Sequence, residues 1–328
     1  MKYWRSCLRT IKSIPMAALL PVSAAALGLA VLVSLCMGAV SLSLGELLQM
    51  PDILRYIRIP RVAAAVFAGA GLAGAGVIIQ TLLGNHLAGP NIIGVNAGAG
   101  LMTLTAGILF PRLPIMQPAM AFLGALGAVC LVYLLSRRAG SSRMTILLAG
   151  MVINSLFNAI SEALYTFFPD SYSGYAAFRV GGLKAVRTDV LVPAMILIAL
   201  AALAVLLHMD ALELLSLGDE TAFSLGLPVK GFRLLFLICA ACMAGAVVSF
   251  AGLIGFLGLI VPHAARLVVG DEIRKLFPVS LLWGALLLVV CDTAARTAFA
   301  PFELSVGIVV SVIGAPVFMA MLLKRRRW

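Results

Sequence analysis

The sequence predicts an all-α protein that crosses a membrane about ten times. Hydrophobic residues make up 62% of the 328 residues and charged residues only 11%, whereas a soluble domain carries about 25% charged residues. The mean hydropathy is +1.11, and the apolar content is enough for about ten helices of roughly 20 residues, the length that spans a bilayer. These values exclude a soluble globular enzyme and a disordered chain. They leave no stretch for a soluble domain, so we expect residues 1–328 to form a single transmembrane domain.

Ten apolar segments are the candidate spans. Charged residues or Pro and Gly separate the segments, which are 14–40, 62–83, 92–110, 115–135, 145–168, 190–208, 233–250, 253–269, 278–298 and 304–323. The first segment follows a basic flank that includes Lys2 and Lys12, and its 27 residues exceed the apolar core of a secretory signal, which has about 7–15 residues. We therefore expect an uncleaved first span that begins in the cytoplasm. The eighth segment contains Pro262 and follows the seventh closely.

The distribution of basic residues predicts the orientation in the membrane. The chain carries 24 Lys and Arg against 13 Asp and Glu, a net charge of +11, and such an excess occurs in nucleic-acid-binding proteins as well as in the cytoplasmic loops of membrane proteins. With ten spans, sixteen basic residues fall in predicted cytoplasmic segments and eight in predicted external segments. This bias favours both termini in the cytoplasm and no nucleic-acid partner.

Two common catalytic signatures are missing from the chain. It contains no Gly-Lys dipeptide, which a Walker A phosphate loop requires, and no His-Glu-x-x-His zinc motif. Cys239 and Cys242 have a Cys-x-x-Cys spacing, but one turn of a lipid-embedded helix explains it, and no second cysteine pair could complete a metal site. We expect no catalytic residue, metal site or cofactor in this chain. A channel or a secondary transporter is the generic alternative.

Polar residues interrupt the fifth segment at helical spacing. Asn154, Asn158 and Glu162 recur at i, i+4 and i+8, which predicts that they share one face of a helix. Polar side chains inside a membrane mark transport pathways, but they also hydrogen-bond neighbouring helices. The spacing leaves both interpretations open. The second segment carries a run of small residues at 68–76, which predicts close packing of helix backbones.

The loop at about 209–232 predicts a short helix on the cytoplasmic side. Asp219 and Glu220 stand in its first turn, where acidic residues interact favourably with the helix dipole. Its apolar residues Ala222, Phe223 and Leu225 need to be covered. Such a helix either caps the bundle or docks into a groove of a soluble partner. On the external side, a segment rich in Gly, Tyr and charge predicts a second short helix.

Several sequence blocks resemble those of one protein family. Residues 217–226 follow the pattern Leu-Gly-Asp-Glu-x-Ala-x-x-Leu-Gly. The other blocks, in order along the chain, are Ile57–Arg61, Gln80–Gly98, Gly255–Arg266, Glu303–Gly307 and Gly314–Pro316. Together they resemble the permease subunits of bacterial ABC importers for iron-siderophores, haem and cobalamin, the FecCD-type permeases. The blocks extend from about residue 55 to 320, so the resemblance covers most of the chain.

The resemblance implies an architecture and a set of partners. It implies ten helices with both termini in the cytoplasm, and two permease subunits, identical or paralogous, around one pathway. Two separate ATPase subunits bind ATP and Mg, and an external binding protein delivers the ligand. The assembly lies among the lipids of a bacterial or archaeal cytoplasmic membrane.

The resemblance also implies three groups of site residues. The residues expected to couple the chain to the ATPase are Gly218, Asp219, Glu220, Ala222, Phe223, Leu225 and Gly226. The residues expected to dock the binding protein are Arg58, Arg61 and Arg296, for which anionic lipid headgroups are the other candidate partner. The residues expected to line the pathway or its gate are Asn85, Leu87, Arg143, Met144, Asn154, Asn158 and Glu162. His86 stands where the family has proline after the asparagine.

The sequence thus predicts the permease subunit of an ATP-driven importer that moves a bulky metal chelate by alternating access. A ferric siderophore is the expected cargo, and haem or cobalamin is the alternative within the same family. An ion-coupled secondary transporter is the alternative from another class, and it gives no role to the loop helix.

Overall fold

The chain is helical throughout the part that the structure describes. A computed structural model describes residues 16–38, 52–113, 115–140, 142–169, 172–184, 186–298 and 302–325, and these ranges contain no strand. The helices are α1 Met16–Cys36, α2 Ile59–Leu83, α3 Val95–Leu109, α4 Met116–Arg138, α5 Arg143–Phe167, α6 Tyr172–Val180, α7 Thr188–Leu207, α8 Met209–Ser216, α9 Asp219–Ser224, α10 Val229–Ala251, α11 Leu257–Val269, α12 Ile273–Thr297 and α13 Val306–Arg325. A π-helical turn, Leu54–Arg58, leads into α2, and a 3-10 turn, Pro90–Ile93, precedes α3.

Seven helical segments are long and apolar enough to cross a membrane. They are Ala18–Cys36, Leu54–Leu83, Met116–Arg138, Arg143–Phe167, Thr188–Leu207, Val229–Ala251 and Ile273–Thr297. The shorter apolar helices Val95–Leu109, Leu257–Val269 and Val306–Ala320 occupy the other three predicted spans. The prediction of an all-α chain with several spans is confirmed, whereas ten crossings and the side of the termini stay predictions. The basic flank of the first span lies outside the described residues.

Helix α2 lies at the centre of the bundle because its side chains are small. Most of α2 is buried, and α10, α11 and α12 pack around it. A Cβ atom at Gly69 would overlap the carbonyl oxygen of Gly284 in α12, and one at Gly76 would overlap that of Gly258 in α11. The backbones therefore touch where no Cβ atom stands between them, as the run of small residues predicted.

A short non-helical segment, residues 252–256, separates α10 from α11. Gly252 has φ +69° at the end of α10, and Phe256 has φ +63°, a conformation that side chains with a Cβ atom rarely adopt. The backbone N–H of Leu253 donates to the carbonyl oxygen of Phe178 in α6 at 2.9 Å. Helix α6 confirms that a short helix lies in this segment, and it holds the break in place; its external location stays a prediction.

The bundle has two distinguishable ends, which α12 connects. At its start, the Ile273 N–H donates to Glu213 Oε2 of α8 at 2.9 Å, so we call this end the α8–α9 end. Near the other end of α12, the carbonyl oxygen of Gly181, just after α6, accepts hydrogen bonds from Ser305 Oγ and from the Gly307 N–H. We call this the α6 end. The side chains predicted to be functional lie at these two ends and along α5.

The close contact between α2 and α12 gives a testable expectation. Gly284→Ala places a methyl group against the Gly69 carbonyl oxygen and should destabilise the fold by about 1–3 kcal/mol, as overpacking of a core does. The matched control is Gly127→Ala in α4, where a Cβ atom meets nothing within 4 Å. This substitution should leave stability unchanged or raise it slightly through helix propensity. Thermal unfolding of the detergent-solubilised chain measures both, and equal midpoints would contradict the packing argument.

Candidate functional site

The short helix α9 projects apolar side chains from the α8–α9 end. Gly218 (φ +110°) precedes the helix and Gly226 (φ +86°) follows it. Both have a positive φ, which favours glycine, and they limit α9 to about one and a half turns. Ala222 is buried, whereas Phe223 is 74% exposed and Leu225 is 59% exposed. The prediction of a short helix at this place is confirmed.

The acidic residues in the first turn of α9 have different surroundings. Asp219 forms an ion pair with Arg233 of α10, and this pair fixes α9 to the start of that helix. Glu220 is exposed. Both carboxylates line a groove between α9 and α10, together with Phe223. Lys230 and Arg233 line the groove from α10, so the groove carries charges of both signs beside the apolar ring of Phe223.

Helix α8, which the sequence reasoning missed, anchors α9 to the bundle. Leu212 and Leu215 are buried against the bundle, and Asp210 pairs with Arg274 of α12 at 2.5 Å. The apolar spacing of residues 211, 212 and 215 is the signal that could have revealed this helix. Helix α8 therefore joins α9 to α12, while the Asp219–Arg233 pair joins α9 to α10 directly.

One face of α5 is exposed along its whole length. The residues on this face recur at steps of four and three, the period of a single helix stripe. They are Met144, Leu148, Met151, Ser155, Asn158 and Glu162. The stripe is apolar near the α8–α9 end and polar near the α6 end. Met144, Asn158 and Glu162 were among the residues predicted for the pathway.

Asn154 lies at the edge of this stripe and has a structural role. Its side-chain amide donates to the carbonyl oxygens of Asn91 at 2.8 Å and Ile92 at 3.2 Å, in the 3-10 turn. A Cβ atom at Gly150 would overlap the same Ile92 carbonyl oxygen. The hydrogen-bonding interpretation therefore holds for Asn154, whereas Asn158 and Glu162 face away from the packed side of the helix.

The other predicted gate residues cluster at the α8–α9 end. Gly84 ends α2 in a left-handed conformation, φ +59°, and Asn85 follows it. The Asn85 side-chain oxygen accepts a hydrogen bond from the Leu87 N–H at 2.9 Å, which closes the turn after α2. Arg143 contacts Gly84, so the structure brings Asn85, Leu87 and Arg143 to one place. Their role in a gate stays a prediction.

Three arginines predicted to dock a binding protein form a buried cluster at the α6 end. Arg58, Arg61 and Arg296 are only 4–7% exposed. Arg61 Nε and Nη2 donate to the Asp292 carboxylate at 3.1 Å, and Nη1 donates to Glu303 Oε2 at 3.0 Å. Arg296 Nε lies 3.2 Å from Asp292 Oδ2. Asp292, 1% exposed, is thus shared by two guanidinium groups.

The same arginines bind the end of α1. Arg58 Nη1 donates to the carbonyl oxygens of Leu35 at 2.6 Å and Cys36 at 3.0 Å. Arg296 Nη2 donates to Ser34 Oγ at 2.6 Å. Carbonyl oxygens in the last turn lack a partner within the helix, so these cations satisfy them. The sequence did not predict these partners within the chain, and the docking role of the arginines stays a prediction.

Gln80 is a buried polar residue that the sequence reasoning missed. Its amide donates to the Gly258 carbonyl oxygen of α11 at 3.3 Å and accepts a hydrogen bond from Arg266. Arg266 also pairs with Asp271 at 3.0 Å. A glutamine within an otherwise apolar run is the signal that could have indicated a contact between helices. Among the described residues, no group of three or more His, Cys, Asp or Glu side chains is placed to hold a metal ion.

Long apolar helices with a buried ionic cluster at one end define a multi-pass membrane protein, and the comparisons give its family. Residues 26–324 match the FecCD transport family. The hemin transport system permease protein HmuU of Yersinia pestis is 37% identical over 303 residues, which cover 88% of this chain and 90% of that protein. The Fe(3+)-citrate import system permease protein YfmE of Bacillus subtilis is 32% identical over 304 residues, covering 87% and 91%.

A solved structure agrees with these relatives. A metal-chelate type ABC transporter in an inward-facing conformation has a TM-score of 0.86 and 28% identity, over 94% of this chain and 100% of that chain. The chain belongs to the FecCD transport family, whose members are transport permeases of ABC importers. The predicted resemblance is therefore confirmed.

The shared carboxylate of the cluster gives a testable expectation. Asp292→Asn leaves two buried guanidinium groups without their common anion and should destabilise the fold by about 3–5 kcal/mol, the usual effect of breaking a buried ion pair. The matched control is Asp189→Asn, which removes the exposed pair with Arg187. Its thermal midpoint should stay close to that of the wild type, because exposed pairs contribute little. Similar losses in both variants would show that the cluster is not a buried ionic contact.

Proposed function

We propose that this chain is the membrane-spanning permease subunit of an ABC importer that moves a bulky metal chelate, with a ferric siderophore as the cargo class. Membership of the FecCD transport family supports the permease role. The relatives named for Fe(3+)-citrate and hemin import support a chelated-iron cargo. Haem is the second candidate because the hemin permease HmuU is among these relatives.

The observation that carries the proposal is the exposure of α9. A lone amphipathic helix whose apolar side chains face water marks a surface for a partner. In a permease of an ABC importer, this surface fits a cleft of a separate ATPase subunit, which binds ATP and Mg. The exposed Phe223 and Leu225 supply the apolar contact and Glu220 the charge, while Gly218 and Gly226 set the bounds of the helix. The α8–α9 end is then cytoplasmic, as are both termini of a ten-helix chain.

The exposed stripe of α5 fits a translocation pathway shared with a second permease subunit, identical or paralogous. Met144 and Leu148 give its cytoplasmic part an apolar gate, and Asn158 and Glu162 give its external part a polar mouth. Closure of the ATPase dimer on ATP moves α9, and the spanning helices then reorient around the cargo. No covalent chemistry takes place in this chain.

The α6 end is then the external face that receives the binding protein. Among the described residues of this cluster, Arg58, Arg61 and Arg296 carry three positive charges and Asp292 and Glu303 two negative charges, an excess of one positive charge. Such a charge attracts acidic residues on a docking protein. Anionic lipid headgroups are the competing partner.

Uptake into proteoliposomes tests the whole proposal. Vesicles contain this chain, its ATPase and its binding protein, and each receives a panel of ferric siderophores, ferric citrate, haemin and cobalamin, with and without ATP inside. We expect ATP-dependent uptake of a ferric siderophore. Uptake of haemin alone would show that the cargo is haem and not a ferric siderophore. Uptake without ATPase or binding protein would establish a secondary transporter instead.

A charge reversal on α9 tests the docking surface. Glu220→Arg should weaken the association with the ATPase, because it reverses an exposed charge beside the apolar side chains that enter the cleft. The matched control is Arg138→Glu, which reverses an exposed charge at the end of α4. Co-purification of the ATPase with the tagged chain measures both. Equal recovery from the two variants would exclude α9 as the docking helix.

A further inference from the structure

Arg143 lies where three elements of the α8–α9 end meet. It is the first residue of α5, and its Nη2 atom donates to the carbonyl oxygen of Leu215 at 2.6 Å and lies 3.4 Å from that of Ser216. These carbonyl groups belong to the last turn of α8, where no residue of the helix itself bonds them, and the Leu215 oxygen also accepts a hydrogen bond from the Gly218 N–H at 3.3 Å. A cation at this position is favoured by the helix dipole as well.

The guanidinium group has little freedom to move away from α8. A Cβ atom at Gly84, where α2 ends, would overlap the Nη1 atom of Arg143. The group is therefore held between Gly84, the residue that follows α2, and the last turn of α8. A planar guanidinium that bonds a carbonyl on one side and packs on backbone on the other behaves as a stiff connection.

Helix α5 has a second attachment near its middle. Asn154 bonds the 3-10 turn, and Gly150 packs directly on it. Asn154 follows Arg143 by 11 residues, about 16 Å along the helix axis. Between these points lie the exposed residues Leu148 and Met151. A displacement at Arg143 therefore turns this part of α5 about its contact with the 3-10 turn.

The other polar contacts of the α8–α9 pair lead to different helices. Glu213 bonds the start of α12, and Asp210 pairs with Arg274 of the same helix. Asp219 leads to α10 through Arg233. Among these contacts, that of Arg143 leads to the helix with the exposed stripe.

We propose that Arg143 is the positioning residue that transmits movement of α8 and α9 to the first turns of α5. This inference rests on the proposed function, because the movement originates in the ATPase subunits. When α9 moves, α8 moves with it, and the carbonyl groups of its last turn carry the Arg143 side chain and the end of α5 along. The exposure of Leu148 then changes with the nucleotide state.

Thiol labelling in the assembled transporter tests this role without a cargo. The chain carries Leu148→Cys with its native cysteines replaced and is purified with its ATPase subunits. A water-soluble maleimide reports the labelling rate without nucleotide and after trapping with ATP and vanadate. With Arg143 present, the rate should differ between the two states.

Arg143→Gln should abolish most of this nucleotide-dependent difference, because it removes the charged group that bonds the last turn of α8, while ATP hydrolysis continues. Arg143→Lys, which keeps the charge and a donor, should restore part of the difference. The matched control Arg138→Gln removes an exposed charge and should leave the difference unchanged. If Arg143 had only a structural role, Arg143→Gln would lower both the stability of the chain and the rate of ATP hydrolysis. The nucleotide-dependent difference in labelling would then fall in parallel with hydrolysis.

A pair of glycine substitutions covers the case in which Arg143→Gln does not fold. Gly84→Ala should displace the guanidinium group and diminish the difference, whereas Gly140→Ala, also at positive φ (+105°) but with nothing within 4 Å of its Cβ atom, should not. An unchanged difference in Arg143→Gln or in Gly84→Ala would overturn the transmission role. Failure of the ATPase to co-purify with the unaltered chain would overturn the proposed function, and this inference with it.

Discussion

The contact of α2 with α11 and α12 is the constraint on which the rest of the bundle depends. Apolar side chains gain little from association in lipid, so helices there are held by close packing and polar contacts. At Gly69 and Gly76 the α2 backbone lies against the backbones of its neighbours, and a side chain at either position would push them apart. This central group leaves the outer helices, α5 among them, with one packed face and one open face. The proposed pathway between two subunits depends on this open face of α5.

Polar contacts are concentrated at the two ends of this apolar centre. At the α6 end, charges are buried and shared, so helices α1, α2 and α12 are fixed to one another. At the α8–α9 end, the contacts of α8 are single hydrogen bonds and partly exposed pairs, with α9 attached beyond them. If the ATPase drives the chain from the α8–α9 end, as proposed, this difference lets that end move while the α6 end keeps the helices packed.

The sequence predicted the helices better than the contacts between them. All ten apolar segments contain a helix, because hydrophobic runs of this length have few other solutions in a membrane. Charged residues made the predicted starts of two helices wrong. Helix α10 begins at Val229 and α12 at Ile273, earlier than expected, because a helix can continue through the charged residues at its end. Asn154 and Glu162 are eight residues apart and thus about 80° apart around a helix, so one packs and the other stays open. The pairing of Arg61 with Asp292 joins distant positions and leaves no local pattern in the sequence. The groups that hold Arg143 are backbone atoms, which the sequence does not distinguish.

The arginine cluster also constrains the order of events during synthesis and membrane insertion. Arg61 and Asp292 are 231 positions apart, and ribosomes add about 5–20 residues each second. The insertion machinery must therefore accommodate the early arginines for about 10–50 seconds before their acidic partner is made. The cluster can close only after α12 has entered the bilayer. A chain that stops short of α12 would leave cations without their anion at the membrane surface, a mark by which quality-control proteases could recognise it.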